Sequence, residues 1–211
     1  MGLSSKQQIF EAIQKSKRIL LTTKQYPSED SISSLTALGL FLEKSGKETD
    51  IISHGPVPPI LSFLPKSDQI RNELQVAKNF IISLDTSETK VAQFSYDFDQ
   101  DNKKLNIYIA PESGNFTSDH LTTKMLGFNY DTIIVVNSSD FESLGPLYLK
   151  NTDLFYETPV INIDHNSSNE QFGEINLVDT TASSTSEIIY DIFESIGENV
   201  IDERIATCLL T

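Results

Sequence analysis

Cysteine is nearly missing from this chain of 211 residues: Cys208 is the only one. A single thiol closes no intramolecular disulfide and completes no cysteine-rich zinc site. Disulfide scaffolds and zinc ribbons are therefore excluded, and a cytoplasmic location is the expectation. Positive charge is also scarce. Against 30 Asp and Glu stand 16 Lys and Arg, a formal net charge of −14. Nucleic-acid faces need clustered Lys and Arg to replace counterions on the phosphates, so no extended duplex is expected as a partner. A small basic pocket is still allowed, and solubility is the simplest use of the acidity. Long apolar runs are missing too. None approaches the roughly 20 residues of a bilayer span, and the polar start "MGLSSKQQIFEAIQ" has no signal-peptide core. No membrane partner is expected.

What is present is a folding pattern. Hydrophobic residues make up 38% of the chain, and their runs recur throughout, unlike a disordered composition. "SSKQQIFEAIQKSK" puts Ile9, Phe10 and Ile13 on one helical face behind a Ser cap. "SISSLTALGLFLEKSG" is a second helix, with Gly46 as its stop. Strand runs are expected at Arg18–Thr23, Thr49–Ser53, Phe80–Asp85, Thr132–Asn137 and Val160–Asp164. Such runs alternating with helices predict an α/β fold, a mostly parallel sheet with helices on both faces. "EINLVD" is a shorter run beside the last strand.

Between them, Val91–Pro111 alternates apolar and polar around a polar turn at Gln100–Lys103, which predicts a β-hairpin. It reads as an insertion of about residues 90–112 at a sheet edge. "SSTSEIIYDIFESIG" opens with Ser184 and Glu187 at capping-box spacing and offers Ile188, Ile189, Ile192 and Phe193 to the core. "DERIATCLLT" begins a last helix. The whole chain, 1–211, reads as a single α/β domain. Its last residues keep an apolar helical pattern up to Thr211 without a cap, so the domain is expected to continue beyond it.

Chemistry is most concentrated in "VINIDHNSSN", Val160 to Asn169. Asp164 and His165 end an apolar run, a place where a metal site can begin, while Asn166 stands where a second His would strengthen that case. His54 and His120 lie in polar loop contexts and read as surface residues. Lys15, Lys17 and Arg18 read as a solvated helix end.

The longer run "INIDHNSSNEQFGEINLVDTTASSTSEIIYDI" resembles the DHH phosphoesterase superfamily, within it the RecJ-like, oligoribonuclease and phosphoadenosine-phosphate phosphatase branch. Members carry Asp-His-His at a strand end, then an Asn, a Phe-Gly, an Asn-x-Val-Asp and an Ala-Ser-Ser-Thr-x-Glu helix start. Here these are Asp164-His165, Asn169, Phe172-Gly173, Asn176 to Asp179, and Ala182 to Glu187. Upstream, "ILLTTKQYPSEDSISSLTALGLFLEKSGKETDII" resembles the family's first motif, His-x-x-Pro-Asp-x-Asp-x-x-x-Ser, with its helix and Gly-Lys. About Lys90–Phe128 has no counterpart.

The resemblance implies two manganese ions, which suit oxygen and imidazole ligands, and hydrolysis of a phosphate ester. It also implies where their ligands would fall. The first-motif His corresponds to Lys24. Its first Asp corresponds to Ser28, just after the matching Pro27, and its second Asp is kept as Asp30. The bridging Asp of the second motif corresponds to Asn137, or is Asp85 if Phe80–Asp85 is the second-motif strand. The first His of the third motif is kept as His165, and the second corresponds to Asn166. A further family Asp belongs to a segment not in this chain. Asp164 is expected to orient His165. Only Asp30 and His165 remain as metal ligands, a vestigial pair, and Lys24 is expected to neutralise part of the Asp30 charge. The helix start at Ser184 and Thr185 is a phosphate-binding candidate.

The function expected is therefore a phosphoesterase-like domain without di-manganese hydrolysis and without a cofactor, binding a nucleotide, a short oligonucleotide or a protein partner. The alternative is an active manganese-dependent phosphodiesterase or phosphatase with a reduced metal site. A structural or homo-oligomerising module is the third possibility.

Overall fold

The computed structural model describes residues 3–74, 80–125, 130–197 and 200–211. In chain order the elements are α1 (Ser5–Lys15), β1 (Arg18–Thr23), α2 (Glu29–Lys44), β2 (Glu48–Ile52), β3 (Phe80–Leu84), β4 (Val91–Asp99), β5 (Lys104–Pro111), β6 (Leu121–Met125), β7 (Thr132–Val136), α3 (Pro146–Leu149), α4 (Thr152–Glu157), β8 (Val160–Asp164), β9 (Ile175–Val178), α5 (Thr185–Ile196) and α6 (Glu203–Leu209). They form two compact units: β3 to β6 make one, and all the other elements make the second. No helix among the described residues is long and apolar enough to cross a membrane.

The larger unit is built on a five-stranded, wholly parallel sheet in the order β2-β1-β7-β8-β9. Period-2 alternation sends successive side chains to opposite faces. Ile19, Leu21, Ile134, Val136, Ile161 and Ile163 enter a core with α1, α2, α5 and α6. Leu20, Ile52, Ile133, Val135 and Val160 enter a second core with Leu144, Leu147, Leu154 and Phe155. Both faces are thus covered, which is why the central strands β1, β7 and β8 place apolar residues on both faces instead of alternating strictly with polar ones.

Local chemistry fixes the helix ends. Ser4 and Gln7 close a reciprocal capping box on α1. Ser28 caps α2 by accepting from the Ser31 amide at 3.3 Å, with Glu29 and Asp30 in the first turn, where the helix dipole favours negative charge. At α5 the capping box is only half formed. Ser184 Oγ accepts from the Glu187 amide at 3.2 Å, but the Glu187 carboxylate accepts instead from the Ser183 amide and hydroxyl, each at 2.7 Å. Gly173 shows why its loop needs glycine: a Cβ there would meet the carbonyl oxygens of Val160 and Ile175 at 2.9 Å.

Arg18 is not a solvated helix end. Its guanidinium donates to Asp50 at 2.8 Å and lies over the Tyr130 ring, 5.2 Å from its centroid. Asp50 also accepts from Arg71 and from the Tyr130 hydroxyl at 2.7 Å. Burial alone would raise the Asp50 carboxyl. The bonds from Tyr130 and Arg18 and the charge of Arg71 outweigh it and hold the carboxyl below its ordinary value.

One strand is elsewhere than the sequence predicts. Phe80–Leu84 is not part of the parallel sheet. It is β3, paired antiparallel with β6 through Ile82–Thr123 and Leu84–Leu121. The place beside β1 goes to β7, whose five residues are all buried, whereas none in β3 is. A short apolar run does not by itself distinguish these two settings. The expected hairpin is β4–β5, closed by the Asp99–Lys104 pair. The antiparallel region is therefore broader than residues 90–112. Phe128, at the end of the stretch without a family counterpart, lies outside the described residues.

Candidate functional site

The chain steps from β1 outward to β2, then crosses back to place β7, β8 and β9 on the other side of β1. The strand order reverses between β1 and β7, and ligands of open α/β sheets bind outside the carboxyl ends of strands at such a point. Lys24 follows β1 and Asn137 follows β7, so both stand at the reversal. Ser28 and Asp30 come from the start of α2, His165 and Asn166 from the end of β8, and Thr185 and Ser186 from the first turn of α5.

Asn137 joins them. Its φ is +50°, a left-handed conformation that Asn adopts more readily than most residues, and its amide N–H donates to Ile163 at 3.0 Å. Its side-chain nitrogen donates to Asp30 Oδ2 at 2.6 Å and to Ser28 Oγ at 3.3 Å. Its side-chain oxygen accepts from Lys24 Nζ at 3.3 Å and from Asn166 Nδ2 at 3.4 Å. The orientation is fixed by its partners. Turning the amide over would face oxygen to carboxylate on one side and nitrogen to an ammonium on the other. Lys24 and Asp30 are thus connected through Asn137, with no ion pair between them among the described residues.

Asp30 is one-fifth exposed, and both of its oxygens are engaged. Oδ1 accepts from the Ser186 amide at 2.9 Å and the Ser186 hydroxyl at 2.8 Å. Oδ2 accepts from the Thr185 amide at 3.0 Å in addition to Asn137. The amides at the start of α5, candidates for a phosphate, therefore hold the Asp30 carboxylate. Ser184 serves as the cap. His165 Nδ1 shares a hydrogen bond with Thr185 Oγ1 at 3.1 Å and lies 3.9 Å from Asp30 Oδ2.

Asp164 is fully buried. Its Oδ1 accepts from the His165 amide at 2.8 Å, the Asn166 amide at 3.3 Å and Asn166 Nδ2 at 2.8 Å. Its Oδ2 accepts from Asn169 Nδ2 at 2.8 Å. The carboxylate orients the main chain of the loop after β8. The His165 imidazole nitrogen Nδ1, at 3.8 Å, is beyond hydrogen-bond reach.

The polar atoms at this point are committed to one another. Asp30 offers its lone pairs to N–H and O–H groups, Asn137 directs N–H rather than oxygen toward it, and Lys24 adds a cation. Among the described residues no group of three or more His, Cys, Asp or Glu is placed to hold a metal ion.

The remaining candidates have other partners. Asp85 belongs to the smaller unit, where its carboxylate accepts from the Ser87 amide at 2.9 Å. His120 is in the same unit, bonded to Thr117 Oγ1 at 2.8 Å. His54 Nδ1 lies 3.3 Å from the Asn72 carbonyl. A cavity of about 420 Å³ opens at the other ends of the strands, bordered by Gln8, Asp131, Thr132, Pro159 and Glu174, and shares no residue with the network. Sequence reasoning missed Ser186. It stands inside the Ala182–Glu187 helix start, and only its contact with Asp30 gives it a role.

A model of the DHH family N-terminal domain matches residues 18–211. No curated protein matches the chain. Among solved structures, an exopolyphosphatase-related protein from Bacteroides fragilis superposes with a TM-score of 0.66 at 18% identity. The match covers 98% of this chain and 48% of that one, so the chain spans about half the length of that structure. At this identity the likeness is one of fold.

Proposed function

This chain belongs to the DHH family, and we propose that its phosphoesterase-like domain binds a nucleotide or short oligonucleotide without di-manganese hydrolysis. The observation that carries this is the Asn137 amide wedged between Lys24 and Asp30. A bridging carboxylate would offset the repulsion of two divalent ions held about 3.5–4 Å apart. A neutral amide offsets none of it. The same geometry favours an anionic ligand. Lys24 makes one hydrogen bond among the described residues, and an ammonium has three donors. Its remaining donors stand at the strand-order reversal, where a phosphate would meet a cation in an otherwise acidic protein. The name of the Bacteroides fragilis neighbour, exopolyphosphatase-related, is in keeping with phosphate chemistry.

A second reading rests on Asp30 and His165, whose Oδ2 and Nδ1 are 3.9 Å apart. One carboxylate beside one imidazole is the start of a single-metal site, and it keeps manganese-dependent phosphodiester hydrolysis as the alternative. Calorimetric titration with manganese, then with phosphoadenosine phosphate and a dinucleotide, separates the two. Nucleotide binding with background hydrolysis in millimolar manganese is the expected result. Robust manganese-dependent turnover overturns it and selects the single-metal enzyme. Binding of neither metal nor nucleotide leaves a structural module.

A further inference from the structure

In the smaller unit none of residues 80–123 is buried, and among the described residues neither hydrophobic core has a member there. Its apolar side chains are nevertheless ordered. Along β4, Phe94, Tyr96 and Phe98 share one face by the period of two. Directly opposite them on β5 stand Ile109, Ile107 and Leu105, so one side of the ribbon carries six large apolar side chains. Tyr96 and Phe98 meet edge to face at 5.9 Å between centroids. The other side is Gln93, Ser95, Asp97, Asn106, Tyr108 and Ala110. A two-stranded ribbon in water is marginal without something packed on its apolar face.

We propose that this face is a self-association surface, covered by the same face of a second copy of the chain. The area is sufficient. Phe94, Tyr96 and Phe98 are 61%, 62% and 69% exposed. With roughly 200 Å² for a whole aromatic side chain, and with the neighbouring aliphatic residues added, each face offers about 500 Å². Two copies would bury about 1,000 Å², the lower bound for a specific interface. The charge distribution selects the partner. None of the six residues is charged, so the face meets its own image without repulsion or an unpaired buried ion. Over residues 80–125, seven Asp and Glu stand against four Lys. That surplus disfavours an anionic lipid surface. It also disfavours single-stranded nucleic acid, whose stacking platforms sit in basic grooves. Two ribbons packed face to face make a small sandwich about 10 Å thick, and the hairpin gains the core it lacks.

Analytical ultracentrifugation of the full chain across a hundredfold range of concentration tests this, with hydrogen exchange followed at Val91–Pro111. The expected result is a monomer–dimer equilibrium with exchange in the hairpin slowing as dimer forms. Replacing Phe94, Tyr96 and Phe98 together by Ser should weaken dimerisation at least thirtyfold, about the effect of one interface hot spot. Ser95→Lys on the opposite face should leave it unchanged. A wild-type chain that stays monomeric overturns the proposal whether or not the triple variant folds. So does a dimer whose hairpin exchange is independent of concentration. Equal loss of association in Ser95→Lys and in the triple variant also overturns it, because face specificity is then absent.

Discussion

Asn137 donates to the Asp30 carboxylate at 2.6 Å, from the end of one strand to the first turn of a helix more than a hundred residues earlier. The bond sets a neutral amide donor against a carboxylate acceptor. Asp30 is then saturated by neutral donors from α5, and the region holds together through hydrogen bonds.

Restoring negative charge should make the fold depend on metal. The variant Lys24→His, Ser28→Asp, Asn137→Asp places two new carboxylates around Asp30, whose present neighbours Asn137 Nδ2 and Ser28 Oγ are in hydrogen-bond contact. Without metal the carboxylates repel one another. The expected outcome is a melting temperature below that of the parent in chelator and a rise on adding manganese, which the parent does not show. Differential scanning calorimetry with and without manganese measures both. A melting temperature indifferent to manganese in the triple variant would mean that these positions do not suffice for binding.

Lys24→Met removes the ammonium and keeps most of the side-chain length. Loss of one charged hydrogen bond to a phosphate corresponds to roughly tenfold or more in affinity. Nucleotide affinity should fall by about that factor, with little change in stability because Lys24 is only partly buried. Fluorescence titration with a labelled nucleotide reads the affinity. Unchanged affinity would remove Lys24 from the ligand site.

Much of this was legible in the sequence because each feature has a short-range signature. The central strands announce themselves by short clusters of Ile, Leu and Val, as in "RILLTT", "TIIVV" and "VINID", and the hairpin by alternation about Gln100–Lys103. The site residues are motif positions at strand ends. Other features were not legible. Phe80–Leu84 has the composition of a buried strand and lacks only the neighbours. Ser186 acquires its role from Asp30, 156 residues away. The amide orientation of Asn137, on which the electrostatics depend, is set by partners from three other segments. That Asp164 directs its bond to the His165 main chain rather than its imidazole depends on the loop conformation, for which spacing carries no signal.

Stability should fall in acid partly through Asp50. Its carboxyl is held below the ordinary value of 3.8 by Tyr130, Arg18 and Arg71, which outweigh burial. A depressed carboxyl stabilises the folded chain in full above its unfolded-state value, and the contribution is lost as pH falls through the folded-state value. Asp50→Asn should destabilise the protein at pH 7 by about 2 kcal/mol, the scale of a hydrogen bond to a charged group. At pH well below 3.8 the parent and variant should converge. Urea denaturation at both pH values tests the sign. A gap that widens in acid would contradict it.

Asp164 gives the last test. It is fully buried and accepts from two backbone amides and two Asn side chains at 2.8–3.3 Å. Asp164→Ala would leave these donors without an acceptor beneath a closed loop, and each orphaned buried donor costs about 1–3 kcal/mol. Some will find water once the loop loosens, so a total loss of about 3–5 kcal/mol is expected, in line with breaking other buried charged networks. Asp164→Asn keeps the shape and one acceptor while presenting an N–H to a donor, and should lose about half as much. The order parent, Asn, Ala in urea midpoint, with unchanged far-UV circular dichroism in the absence of denaturant, is the expected result. The opposite order would carry a different meaning. Residues reserved for a ligand are often held at the expense of stability, and removing them then stabilises the fold. A more stable Asp164→Ala protein would therefore contradict the role of this carboxylate in holding the loop after β8.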